Sequence, residues 1–195
     1  MSDYQFTRDW FHWAPDIWTH LTPMLPDRKA FLEIGSFEGR SAAWIVENMA
    51  EDGATILCID TWQGAEEHKA GGEDMQAAER RFDHNAGMLT VAYPLRHIRK
   101  VKDTSYRALA ALVNTWQMDF IYIDGSHKAK DVLADACMAW PLLKTGGIMV
   151  FDDYSWGDPR DVLHRPKIAV DAFVNIYAEE IKPIHTGYQL AIQKI

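Results

Sequence analysis

The chain has 195 residues, 48% of them hydrophobic and 25% charged, the balance of one globular domain with a core large enough to need no disulfide staples. A net charge of −8 argues against a nucleic-acid partner or an anionic membrane surface, and the densest basic cluster, Arg96, Arg99, Lys100 and Lys102, is too short to reverse that. The opening residues MSDYQFTRDW carry no basic segment followed by an apolar run, and no apolar stretch reaches membrane-spanning length, so the sequence reads as cytoplasmic.

Residues 1–29 are rich in aromatics (Tyr4, Phe6, Trp10, Phe11, Trp13, Trp18), and Pro15, Pro23 and Pro26 break them into one or two short helices, a candidate lid. From Ala30 an alternation begins. Ala30–Ile34 reads as a strand, Arg40–Met49 as a helix entered through a glycine loop, Thr55–Ile59 as a strand ending at Asp60, and Glu73–Asn85 as a helix after the Gly71-Gly72 pair. Leu95–Val101 reads as a strand and Thr104–Thr115 as a helix capped by Asp103 or Thr104. Phe120–Ile123 is a strand ending at Asp124, Lys128–Leu143 a helix, Ile148–Phe151 a strand and Ile168–Ala178 a helix, with Ile181–His185 and Tyr188–Lys194 as a closing pair of strands. Cys58 and Cys137, inside apolar segments and far apart, read as reduced core thiols.

Strands alternating with helices of this length predict an α/β fold, a doubly wound, mostly parallel seven-stranded sheet with helices on both faces. There is no repeat, low-complexity tract or linker, so residues 30–195 form one domain behind the aromatic segment. Ligands of such sheets bind outside the carboxyl ends of the strands, and Asp60, Asp124, Asp152 and Asp153 all stand at such ends.

Glu33 to Gly39 reads E-x-G-x-x-x-G, with Gly35 allowing a tight turn and Gly39 letting the helix start approach a ligand. It is not G-x-G-x-x-G, so a dinucleotide pyrophosphate fits poorly, whereas an acid at the strand end suits a cation such as the amino group of an amino acid. Asp60, in CIDTWQG about 20 residues further on, suits a ribose diol. An amino acid joined to a ribose describes S-adenosylmethionine. With YIDGSH and FDDY following in order, the chain from about Ala30 to Tyr154 resembles class I S-adenosylmethionine-dependent methyltransferases, and within them the small metal-dependent O-methyltransferases that act on catechols and antibiotic sugars.

That resemblance implies a Rossmann-like sheet whose last strand, within GYQLAIQKI, runs antiparallel, with Gln189 and Lys194 at polar positions. It implies that Glu33 meets the methionine amino group, that the Gly35–Gly39 backbone lines the methionine moiety, that Asp60 grips the ribose, and that Thr104 and Ser105 flank the adenine. The cofactor-binding set so implied is Glu33, Gly35, Ser36, Phe37, Gly39, Ser41, Asp60, Thr61, Trp62, Thr104, Ser105 and Asp124.

Neighbouring strands lie about 5 Å apart, so Asp124, Asp152 and Asp153 can share one small volume if the chain bends at Asp152. Three carboxylates so close raise one another's proton affinity unless a cation sits among them, and oxygen-only ligands favour Mg²⁺ or Mn²⁺. The related O-methyltransferases bind a divalent metal with acids or an amide at these positions. A metal-bound hydroxyl loses its proton more readily, and a base completes the transfer. His127 is the candidate base, beside Asp124; the catechol enzymes place a lysine at that position, and the aminocoumarin-sugar enzymes an acid one residue earlier, where this chain has Ser126. Glu66, Glu67 and His68 follow the cofactor strand within reach of an acceptor, and Trp62 and Trp156 join the aromatics that could wall it.

The expectation is therefore an S-adenosylmethionine-dependent O-methyltransferase of a small sugar-like or phenolic acceptor, able to form a homo-oligomer. The rival readings are an oxygenase of the same fold, which would require a 2-oxo acid and ferrous iron, and a non-catalytic nucleotide-binding module.

Overall fold

A computed structural model describes residues 3–65, 68, 71–157 and 161–195. Seven strands form one sheet: β1 (Ala30–Ile34), β2 (Thr55–Asp60), β3 (His97–Lys102), β4 (Met118–Ile123), β5 (Leu143–Phe151), β6 (Ile181–Thr186) and β7 (Leu190–Lys194). Their order is β3-β2-β1-β4-β5-β7-β6; the first five run parallel, and β7 is antiparallel to both β5 and β6. The order reverses between β1 and β4, whose carboxyl ends therefore flank the crevice where such sheets take ligands.

Every residue of β1 and β4 is buried, as expected of strands covered on both faces. Alternation sends Phe31, Cys58, Phe120, Tyr122 and Val150 to one face, under α1 (Ala14–Leu21), α2 (Arg40–Trp44) and α3 (Met75–Ala92). Leu32, Ile59, Ile121, Met149 and Phe151 go to the other, under α4 (Ser105–Leu112), α5 (Ala129–Ala139) and α6 (Pro166–Ile176). Trp18 of α1 is wholly buried, meeting Phe120 and Tyr122 edge-on at centroid distances of 5.1 and 4.8 Å. Phe11, Ala14, Trp18 and Leu21 thus join the core, while Trp10 and Trp13 stay exposed.

Several boundaries differ from those read in the sequence. The helix expected over Glu73–Asn85 runs Met75–Ala92: Asp74 caps it through Ala77 N at 3.0 Å, exposed Gly87 meets nothing within 4 Å, and the helix ends just before Pro94. The Arg40–Met49 helix closes as a wider π turn from Ile45, and α5 stops at Ala139 in a 3₁₀ turn. β5 starts at Leu143, five residues early, because Gly146, at φ +81°, carries the chain through within the strand. Cys58 is buried, but Cys137 lies exposed on α5 and is not a core thiol. Gln189 is fully buried in polar contacts rather than marking an open polar position, and Lys194 is half-buried, donating to the carbonyls of Trp140 and Leu143.

Candidate active site

At the carboxyl ends of β1, β2, β4 and β5 a cavity of about 750 Å³ opens. Its floor is the turn after β1. Gly35, at φ +88°, lies so close to β4 that a Cβ there would sit 1.9 Å from the Asp124 carbonyl oxygen, so no other residue fits. Phe37 also takes a left-handed conformation, φ +47°. What holds this loop is Asp60. Its Oδ2 accepts from the backbone N–H of Ser36 and Phe37 at 3.0 and 2.9 Å, and its Oδ1 from Trp62 N at 2.7 Å. Asp60 still faces the cavity, and each carboxylate oxygen can accept more than one bond, so this does not remove its capacity for a diol.

Gly35, Phe37, Asp60, Thr61, Thr104, Ser105 and Asp124, all expected at a cofactor, line the cavity. Glu33, Ser36, Gly39, Ser41 and Trp62 lie behind it. Glu33 is wholly buried; its Oε1 accepts from Ser41 Oγ and its Oε2 has no partner. Burial pushes its carboxyl up to about 7, against the opposing hydrogen bond of Ser41. A Cβ on Gly39 would come within 3.0 Å of Phe82, and the Trp62 indole donates to Phe37 O at 2.8 Å while packing on Phe82. These residues shape the loop from beneath.

The opposite end of the cavity holds the acids. Asp153, at φ +54°, provides the bend that β5 needs to bring successive carboxylates together. Asp124, His127 and Asp153 form the compact donor group, one ligand atom from each lying within 4.8 Å of the others, and His127 Nε2 is 2.7 Å from Asp153 Oδ2. Asp152 lines the same cavity but is not in that group. The Tyr122 hydroxyl lies 3.1 Å from Asp124 Oδ2 and closer still to Asp152 Oδ2, and Tyr188 donates to Asp153. Burial first, then the charges of Asp152 and Asp153, hold the Asp124 carboxyl well above the usual range; burial and Asp153 push Asp152 up to about 6. Oxygen donors whose proton affinity is raised by mutual repulsion fit a hard divalent cation, whereas the imidazole in this group departs from the oxygen-only set expected and favours Mn²⁺ over Mg²⁺.

Aromatic rings wall this end. Trp156 packs tilted against His127 at 4.6 Å, and Trp13 tilted against Tyr188 at 4.7 Å. Trp10 lies on Phe37 at 5.1 Å and edge-on to His68. The strand of chain carrying Trp10 is fastened through Thr7, whose N–H and hydroxyl both bond the buried carboxylate of Glu38. His68 lines the cavity, while Glu66 and Glu67 lie outside the described residues. A second pair of acids escaped sequence reading: Asp131 accepts from Ser126 Oγ at 2.9 Å, and buried Asp135, pushed up to about 6 by desolvation, sits beside Ser105. The helical spacing of Asp131 and Asp135, one turn apart, was the available signal.

Residues 32–154 match the family described as a methyltransferase domain. Over 98% of its length the chain superposes on 84% of an O-methyltransferase from Bacillus cereus in complex with S-adenosylhomocysteine, with a TM-score of 0.65 and 15% identity. Over 93% it superposes on 80% of the O-methyltransferase TomG from Streptomyces achromogenes, in complex with S-adenosylmethionine and involved in tomaymycin synthesis, with a TM-score of 0.66 and 18% identity. A putative rRNA methylase from Clostridium thermocellum gives a TM-score of 0.67 at 13% identity, covering 98% of this chain and all of that one. Among curated sequences, an uncharacterised protein of Acanthamoeba polyphaga mimivirus is 28% identical over 136 residues, 66% of this chain; the match spans about half of that relative, 52%. Among the described residues no helix is long and apolar enough to cross a membrane.

Proposed function

The chain belongs to the methyltransferase-domain family, and from that premise we propose that it is an S-adenosylmethionine-dependent O-methyltransferase acting on a hydroxyl of a small sugar-like or phenolic acceptor, assisted by a divalent cation. The observation that carries this reading is the single cavity joining the Gly35 turn, Asp60 and the Thr104–Ser105 edge to Asp124, His127 and Asp153. Among the described lining residues there is no Lys or Arg to receive a phosphate ester or a nucleic-acid backbone, which favours a small acceptor without anionic groups.

S-Adenosylmethionine supplies a methyl group made electrophilic by its sulfonium, and a cation would supply a lowered pKa at the acceptor hydroxyl. The residues to hold that cation are Asp124 and Asp153, with Asp152 beside them. The Gly35 turn lets backbone approach the methionine moiety, and Asp60 offers the remaining lone pair of Oδ1 to a ribose hydroxyl. His127 takes the acceptor's proton; Asp153 Oδ2, at 2.7 Å from Nε2, turns the ring and holds the charge it gains. Trp13, Trp156 and Tyr188 exclude water and stack on a planar or sugar ring.

Calorimetric titration tests the cofactor half: S-adenosylhomocysteine should bind in the micromolar range and NAD should not. The reverse result would overturn the reading. An oxygenase of the same fold would instead consume oxygen with ferrous iron and a 2-oxo acid, and a non-catalytic module would bind S-adenosylhomocysteine yet methylate no hydroxylated acceptor.

A further inference from the structure

Behind the acid cluster lies a buried pair that the chemistry above does not use. Trp18 Nε1 donates to Gln189 Oε1 at 2.9 Å, and Gln189 Nε2 lies 3.2 Å from Asp152 Oδ1; both Trp18 and Gln189 are fully buried. An indole N–H can only donate, so the amide must turn its oxygen toward Trp18. Its NH₂ group is thereby forced toward Asp152. The Asp153 backbone N–H, 2.8 Å away, donates to the same Oδ1. Two donors therefore occupy Oδ1, which leaves Oδ2 to face the Tyr122 hydroxyl, itself 3.1 Å from Asp124 Oδ2.

We propose that Trp18 and Gln189 are positioning residues that aim Asp152 Oδ2 into the cation site. The inference rests on the metal reading above. Three elements fix the relay. Trp18 is clamped by edge-on contacts with Phe11, Phe120 and Tyr122, Gln189 precedes β7, and Asp152 follows β5, against which β7 pairs antiparallel. Asp152 cannot swing about its own side chain without breaking a buried hydrogen bond. This gives the N-terminal helix a task at the active centre: its indole selects the orientation of an amide, and the amide selects which oxygen of a carboxylate is left to Tyr122 and the cation site. Partners that orient a ligand in this way typically govern metal affinity by 10- to 100-fold.

The test measures Mn²⁺ binding by electron paramagnetic resonance and Mg²⁺ binding by calorimetry, in wild type, Gln189→Leu and Trp18→Phe, with S-adenosylhomocysteine binding as the check on folding. Gln189→Leu removes the donor and should weaken Mn²⁺ binding about tenfold. Trp18→Phe keeps an aromatic ring against Tyr122 but lets the amide flip, so it should weaken binding by less, in the same direction. If Gln189→Leu fails to fold, Trp18→Phe decides. Wild-type protein that binds neither ion refutes the metal reading and this inference with it. Wild-type binding that both variants reproduce refutes the orientation alone and leaves the metal reading standing.

Discussion

Glu33→Gln asks whether the wholly buried acid of β1 titrates as its surroundings dictate. The carboxyl is completely buried, with Ser41 on one oxygen and nothing on the other, and is pushed from the usual 4.5 to about 7. A folded-state value raised above the unfolded one means that the folded protein holds the proton more tightly. The stability this confers is complete below about pH 4.5 and is lost as the pH rises through about 7. At 1.36 kcal/mol per pH unit, the interval corresponds to about 3 kcal/mol. For a domain of this size that is about 6–12 °C in Tm. Glutamine cannot ionise, so this part of the pH dependence should vanish in the variant.

Its amide leaves an NH₂ group where Oε2 had no partner, a pH-independent penalty of about 1–3 kcal/mol. The diagnostic quantity is therefore the difference between the two proteins as a function of pH, not the stability of either. That subtraction also removes Asp124 and Asp152, which titrate in both. Chemical denaturation of each at pH 5 and pH 8, with chelator present, should show the variant gaining roughly 2–3 kcal/mol on wild type across that interval. Parallel stability curves would refute the argument, because they would mean that Glu33 is ionised in the folded protein across the interval, just as it is in the unfolded chain.

Two other outcomes follow from the same geometry. Asp60→Ala removes the acceptor of three backbone N–H groups, so it should cost about 3 kcal/mol of stability as well as at least tenfold in S-adenosylhomocysteine affinity, with Asp60→Asn recovering part of both; thermal denaturation and calorimetry on the same samples separate the two, and an unchanged Tm would contradict the loop's dependence on Asp60. Millimolar Mg²⁺ should raise Tm more at pH 8 than at pH 5, since protons compete for Asp124 and Asp152, and Asp153→Asn should blunt the effect; a Tm indifferent to Mg²⁺, Mn²⁺ and chelator at pH 8 would remove the metal from the mechanism.

The parallel sheet was legible because its strands are short apolar runs ending in acids, and the register of Ala30–Ile34 is the observed β1 to the residue. The convergence of Asp124, Asp152 and Asp153 was legible for the same reason: strand ends in a parallel sheet share one edge. Which oxygens face one another was not. That depends on the left-handed turn at Asp153, a conformation nothing in FDDY demands, and on Tyr188 and Gln189, which arrive from a hairpin far along the chain. Asp60 was legible as an acid at a strand end, but its use as the acceptor for the loop's N–H groups depends on how the E-x-G-x-x-x-G backbone curls, and Glu33 could not be told from a cavity-facing acid by spacing alone. Tyr122 did leave a trace, since a residue two positions before Asp124 points to the same face.

Three carboxyl groups beside one imidazole would spread apart if solvent were their only support. Here each is held by donors from rigid elements: Tyr122 on β4 for Asp124 and Asp152, Gln189 and the backbone of the β5 bend for Asp152, Tyr188 before β7 for Asp153. The Tyr122 hydroxyl has one hydrogen and two carboxylate neighbours, so it can serve only one at a time. The second must then carry a proton or face a cation, which is why the raised values at Asp124 and Asp152 and the crowding of Asp124, His127 and Asp153 describe one condition. Such a cluster keeps its shape whether its charge is cancelled by protons or by a metal, because neutral donors and backbone hold it. Its geometry is therefore set before any ligand arrives.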